Sequence, residues 1–327
     1  MIISIFKKNY FFQLVLLVVL PLILWLPAFI NPPQIITLGA MDMPLYNAMA
    51  SGLSPYRELC TILAFVIMAL GALALNYIFV YYELTRKNSY FPAFVYMLLF
   101  SCDYRLMTIS SVLFANTIMI VAIKMFLQCY NKNEGLDQIF LTAFLGALSS
   151  LFFAPYILFM IWIWVGLLNF KIYKWRPIIV SILGMILPYL ILMIIYYLEN
   201  RLDLVISFFP QHFAVIPDTN VMTQPIQVVY MAYMLILVVA AVYFVLNYKN
   251  NQKLSVRKRI STMVLLLVFS LLPFAYCLAT PVMSLVFAPS VAFVLTIFFF
   301  SIKRELYSTL FFSVWLVLTI AKIYINY

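Results

Sequence analysis

The chain has 327 residues, 67% of them hydrophobic and 9% charged, with a mean hydropathy of +1.09 and a formal net charge of +10. Soluble domains carry about 25% charged residues, so a soluble fold with its own core is excluded. The bases lie in short clusters between apolar runs rather than on one face, which is a topology signal and gives no reason to invoke nucleic acid as a partner.

Taken in order, Lys7 and Lys8 precede an apolar run from Phe11 to Ile30. This run is long, is followed by Pro32-Pro33 and has no small-x-small cleavage site, so it reads as a first span and not as a cleaved signal. A first outer loop, residues 31–58, leads to a second span from Leu59 to Tyr82 that stops at Arg86-Lys87. Two shorter spans, Tyr90 to Cys102 and Leu106 to Cys129, part at the polar break Asp103-Tyr104-Arg105. After the charged segment Lys132 to Asp137 a second short pair starts at Phe140, runs past Trp164 and is broken near Pro155. A span from Pro177 to Tyr197 is followed by the second outer loop, residues 199–227. Four further runs, Val228 to Tyr248, Ile260 to Cys277, Val282 to Phe300 and Tyr307 to Ile325, complete about eleven transmembrane helices. The runs are too uniformly apolar for barrel strands, which alternate. The expected fold is a single all-α integral membrane domain, residues 1–327, with a cytoplasmic N-terminus.

Charge supports this orientation. Of the 20 Lys and Arg residues, only Arg57, Arg105, Arg201 and Lys322 fall in segments read as outside. Six acids fall there as well: Asp42, Glu58, Asp103, Glu199, Asp203 and Asp218, together with the single histidine, His212. A basic inner face follows from topology alone. An outer face that gathers acids and arginines does not, so it is the candidate chemical face.

Several chemistries fall away. With seven glycines there is no phosphate-binding GxxxxGK[ST] loop and no GxGxxG fingerprint. One histidine builds neither HExxH nor the four-histidine iron site of a carotene oxygenase. Cys60, Cys102, Cys129 and Cys277 show no CxxC spacing. Buried thiols are expected, with a Cys60–Cys102 disulfide as the alternative. Apart from Lys124 near an inner end, no charge sits deep in a span, which argues against a charge-coupled transporter.

The most informative stretch is Asp42-Met43-Pro44-Leu45-Tyr46-Asn47-Ala48-Met49-Ala50, followed by Gly52, Pro55, Tyr56, Arg57 and Glu58. Pro44 and Gly52 bracket a short helix whose Leu45, Met49 and Leu53 share a face suited to the membrane surface. Asp42 precedes it, where an acid acts either as a helix cap or as a carboxylate beside a lipid phosphate. Arginine suits phosphate bidentately, yet Arg57, Arg105 and Arg201 each have an acid close by in sequence with which to pair.

This stretch resembles the first outer loop of the GT-C superfamily, polytopic glycosyltransferases that use polyprenyl-phosphate-linked sugars. The likeness covers about the first 200 residues in layout, including the two short span pairs, but only about 17 in motif. As a whole the chain also resembles a family of multi-pass membrane proteins from the Bacteroidetes, to which no activity is attached, and this implies a bacterial inner membrane. The GT-C resemblance implies a transferase moving a sugar or glycan from a polyprenyl-(di)phosphate carrier to a protein or lipid acceptor on the periplasmic face. It makes Asp42 the catalytic acid, acting alone or with a divalent metal ion. Tyr46, Arg57, Glu58, Asp103, Arg105, Arg201 and His212 become the substrate-binding set. Two departures stand against it: Asp42 is single where many members carry two acids, and the second outer loop is too small to replace their soluble outer domain. The alternative expectation is a non-catalytic scaffold or subunit of an envelope complex, held among membrane lipids and other envelope proteins.

Overall fold

A uniformly apolar run in lipid satisfies its backbone groups only by bonding them within the segment, so helices are the required outcome. The computed structural model describes residues 10–35, 42–85, 88–130, 135–200, 225–277, 283–286, 288–302 and 305–326. Its helices are α1 (Tyr10–Ile30), α2 (Pro44–Leu53), α3 (Arg57–Tyr81), α4 (Phe91–Phe100), α5 (Ser111–Gln128), α6 (Leu136–Ser150), α7 (Phe159–Asn169), α8 (Trp175–Leu198), α9 (Pro225–Asn250), α10 (Leu254–Cys277), α11 (Met283–Val286), α12 (Ala288–Ser301) and α13 (Glu305–Asn326). Short 3-10 turns at Tyr104–Leu106 and Ala154–Leu158 fall at the two polar or proline breaks. Among the described residues the fold is all-α, apart from one isolated bridge between Asp42 and Phe153.

Among the described residues, six helices are long and apolar enough to cross a membrane: α1, α3, α5, α8, α9 and α13. The sequence treats α4 and α12 as spans too, but they have 10 and 14 residues. At 1.5 Å per residue these reach only ~15 and ~21 Å, short of a hydrocarbon core of about 30 Å. Their burial explains the difference. Every residue of α4 is buried, and so is every residue from Ala288 to Phe299 of α12. A helix apolar on all sides belongs inside a bundle, and these two are the core around which longer helices stand. Phe91 of α4 meets Phe299, Phe300 and Phe312, and Phe79 of α3 meets Phe293.

The long helices turn apolar faces outward. On α8 these include Ile178, Ile182, Leu183, Leu190 and Ile194, and on α9 Leu235, Ile236 and Val239. Continuous apolar surface of this extent is sustained by lipid and not by water. The chain is a helical, membrane-embedded protein. Close approach between α6 and α8 rests on Gly184, where an added Cβ would lie 2.6 Å from the Phe140 carbonyl oxygen.

Side-chain bonds sort the connections to two ends of the bundle. One end joins Trp25 to Ser101, Tyr104 to Asn31, Tyr46 to Ile109, and Lys322 to Asp103. The other joins Gln13 to Ser89, Tyr82 to Lys124, Tyr248 to Leu84, and Asn169 to Lys258. The first group includes Asn31, Tyr46, Asp103 and Lys322, which the sequence reading places outside, and the second includes Lys124 and Lys258, which it places inside. Cys60, Cys102 and Cys129 are buried and in no disulfide, so the disulfide alternative does not arise between Cys60 and Cys102.

Candidate functional site

Three arrangements occupy the end of the bundle that carries Asp103. The first surrounds Asp42. Pro44 opens α2 as expected, but the N-cap position is Met43, which supplies no side-chain cap. Asp42 stands one residue further out, 1% exposed. It is held there by its backbone. It bridges Phe153, the Met43 amide donates to the Phe152 carbonyl at 3.3 Å, and Asn47 Nδ2 donates to the Asp42 carbonyl at 3.1 Å. The first outer loop is thus pinned to the Pro155 break.

The face that α2 buries is formed by residues other than Leu45, Met49 and Leu53. Pro44, Tyr46 and Ala50 point inward, Met49 is exposed, and Leu45 packs on the cluster of Met43, Leu151, Ala154 and Leu192. Tyr46 wins the inward face because its hydroxyl finds the Ile109 carbonyl at 3.2 Å while its ring fills the gap. Burial first, and the Asp42 carboxylate second, raise the Tyr46 hydroxyl well above the ordinary tyrosine range.

The second arrangement is an open cleft of about 570 Å³ between the ends of α1 and α3, lined by Asn31, Pro32, Pro55, Tyr56, Arg57, Glu58 and Leu59. Arg57 and Glu58 are both exposed in the first turn of α3. Beside them Tyr56 is 59% and Leu59 50% exposed, so the cleft opens where polar and lipid-facing surfaces meet. The Tyr104 hydroxyl donates to the Asn31 carbonyl, which ties this cleft to the first polar break.

The third arrangement is that break itself. The Asp103 side chain caps its turn, accepting from the Arg105 amide at 3.1 Å. Arg105 Nε reaches Oδ1 at 3.3 Å and Nη2 reaches Oδ2 at 3.3 Å. Lys322 Nζ of α13 then reaches the same Oδ2 at 3.4 Å, and it also lies 4.9 Å from the centre of the Tyr230 ring. Tyr230 accepts in turn from Trp315 Nε1 at 3.3 Å. Asp103 and Lys322 are each 1% exposed.

Lys322, counted from sequence among the outside charges, lies instead within α13 and is enclosed. It is a buried cation inside a membrane helix, and its reason for being there is Asp103. The signal was a lone lysine inside the last apolar run. Tyr230 and Trp315 gave none, because aromatic residues near a membrane boundary need no further role.

Of the expected set, the structure brings Asp42 to Tyr46, Arg57 to Glu58, and Asp103 to Arg105. Among the described residues it joins neither Arg57 nor Arg105 to Asp42. Arg201 and His212 lie outside the described residues. No group of three or more His, Cys, Asp or Glu side chains gathers among the described residues, so a divalent ion has no ligand set there. No family model, curated protein or solved structure matches the chain.

Proposed function

We propose that the chain is a multi-pass protein of a bacterial inner membrane, N-terminus in the cytoplasm, and is a GT-C-like glycosyltransferase. Its donor is a sugar or glycan on a polyprenyl-(di)phosphate carrier, and its acceptor is a protein or lipid on the periplasmic face. The observation that supports this reading is the open cleft at the Asp103 end, where Arg57 and Glu58 stand together beside lipid-facing Leu59. A lipid-linked donor needs its tail in the bilayer and its phosphate at the interface, and an exposed arginine beside exposed apolar surface suits both needs. Arg57 receives the phosphate by charge-assisted hydrogen bonds. Glu58 takes the proton of the acceptor hydroxyl as that oxygen attacks the anomeric carbon and the carrier phosphate leaves. In this reading Asp42, enclosed behind α2, is a positioning residue that fixes the first outer loop, and Glu58 takes the catalytic role.

The second reading is a non-catalytic scaffold or subunit of an envelope complex. The burial of Asp42 and the mutual pairing of Asp103, Arg105 and Lys322 favour it, since these groups are occupied with one another. Glycan profiling separates the two. Envelope glycoproteins and lipid-linked saccharides are compared in a deletion strain carrying wild type, Glu58→Gln, Arg57→Gln or Asp42→Asn at equal protein level. The transferase reading expects a glycan to vanish or its lipid-linked precursor to accumulate on deletion, with wild type but not Glu58→Gln restoring the profile. An unchanged glycan profile on deletion removes the enzyme and leaves the scaffold. Restoration by Glu58→Gln but not by Asp42→Asn returns the catalytic role to Asp42.

A further inference from the structure

The opposite end of the bundle carries two cations whose arrangement topology does not explain. Several of the described basic residues there are exposed, such as Lys171, Lys174, Lys253 and Arg257. Arg259, in the first turns of α10, instead folds back over aromatic rings. Its guanidinium carbon lies 4.4 Å from the centre of the Tyr82 ring and 5.5 Å from that of Tyr130. Its Nε is enclosed and donates to no acceptor. On the other side of Tyr82, whose hydroxyl donates to the Lys124 carbonyl at 3.1 Å, Lys124 Nζ sits 4.6 Å from the centre of the Tyr77 ring. Tyr77 and Tyr81 stack at 5.5 Å, and Tyr81 meets Tyr82 edge-on at 4.9 Å. The result is one continuous strip, Lys124–Tyr77–Tyr81–Tyr82–Arg259, with a cation at each end.

Neither cation has a carboxylate partner among the described residues, although Glu83 follows Tyr82 directly. An enclosed guanidinium donor without an acceptor is costly, and cation–π contact alone does not bond its N–H. The strip opens sideways: Tyr77 is 46% and Tyr81 57% exposed, on the lipid-facing side of α3. Gln252 Nε2, on the connection that leads into α10, is a further enclosed donor without an acceptor. Donors in excess, two cations, aromatic walls and an opening toward lipid describe a receptor for an anion that arrives with its own acyl chains.

We propose that Lys124, Arg259 and the Tyr77–Tyr81–Tyr82 strip bind the phosphate headgroup of an anionic phospholipid in the leaflet at this end of the bundle. The phosphate oxygens accept from Lys124 Nζ and from the guanidinium of Arg259, and the acyl chains lie along the exposed apolar face of α3. This site is separate from the Arg57–Glu58 cleft and does not depend on the activity proposed there.

The test is native mass spectrometry of the full-length protein released from nanodiscs containing phosphatidylglycerol and phosphatidylethanolamine. Wild type should retain phosphatidylglycerol in preference. Both cations bond the headgroup directly, so Lys124→Gln/Arg259→Gln should weaken retention on the order of tenfold or more. Lys253→Gln/Arg257→Gln removes the same charge from exposed, salt-screened positions that make no direct bond to the headgroup, and should leave retention within about twofold. Arg259→Lys keeps the charge but loses the planar fork and should fall between them. Equal losses in both double variants would show a diffuse charge effect and overturn the site, as would full retention by Lys124→Gln/Arg259→Gln. Release of the lipid by millimolar inorganic phosphate would overturn the lipid as the occupant. Thermal melting of each variant identifies a folding failure, in which case Arg259→Lys alone decides, and retention equal to wild type in that variant overturns the role of the guanidinium.

Discussion

Asp103 is the residue on which most depends. It is enclosed, and it balances Lys322 at 3.4 Å as well as Arg105 at 3.3 Å. Removing one member of a buried pair leaves the other charge in a medium that cannot solvate it, at a cost of about 3–5 kcal/mol. Asp103→Asn should therefore lower the unfolding midpoint sharply in a detergent thermal melt. Asp103→Asn/Lys322→Met should recover part of that loss, because it removes the stranded ammonium. If the double variant is no more stable than Asp103→Asn alone, the buried pair is not what α13 rests on. Tyr46 sits in a comparable enclosure. Its hydroxyl keeps its proton above the pH near 10 at which an unfolded tyrosine loses it. The folded chain then binds more protons than the unfolded one, so the stability from this group is complete below about pH 10 and declines as pH rises beyond it. Tyr46→Phe should flatten the alkaline part of the melting profile while costing about 1 kcal/mol at neutral pH for the lost bond to Ile109.

At the scale of elements, two glycines make opposite demands. Gly184 brings α8 against α6 so closely that a methyl group would meet the Phe140 carbonyl at 2.6 Å and Ala143 Cβ at 3.1 Å. Backbone cannot step aside as a side chain can, so Gly184→Ala should destabilise by about 1–3 kcal/mol. Gly52, in the last turn of α2, has nothing within 4 Å of an added Cβ. There alanine only restricts the unfolded chain, and Gly52→Ala should stabilise by about 0.5–1 kcal/mol. Parallel melts of both variants check the pair. The positions of the helices were largely legible, since apolar length and flanking charge act locally along the chain. Observed Trp175–Leu198 and Arg57–Tyr81 fall within two residues of the runs read from sequence. The burial pattern was not. Tyr46 turns inward, and α4 is enclosed on every side, because of neighbours more than sixty residues away in sequence or beyond, such as Ile109 and Phe299. The candidate site suffered most. Its members were grouped by level in the membrane, and level does not say which carboxylate faces a cleft.

For the whole molecule, the sorting of connections into two ends is a statement about sidedness that thiol labelling can read. In a Cys277→Ser background the remaining native thiols of Cys60, Cys102 and Cys129 are buried and should stay silent. Ser54→Cys, exposed between α2 and α3, should react with a membrane-impermeant maleimide added to spheroplasts. Lys253→Cys, exposed at the other end, should react only after the membrane is opened. Labelling of both without permeabilisation would place the two ends on the same side and undo the arrangement of spans. The order in which the chain is made adds a further consequence to the Asp103–Lys322 pair. Translation delivers Asp103 long before α13, with the eight described helices from α5 to α12 still to be inserted around it or packed beside it. Throughout that interval Arg105, two residues away, is the one of its two cationic partners already present. The bidentate fork that looks redundant in the finished bundle is the counter-charge of the nascent one, and the arrival of Lys322 marks the moment when the last helix has found its place.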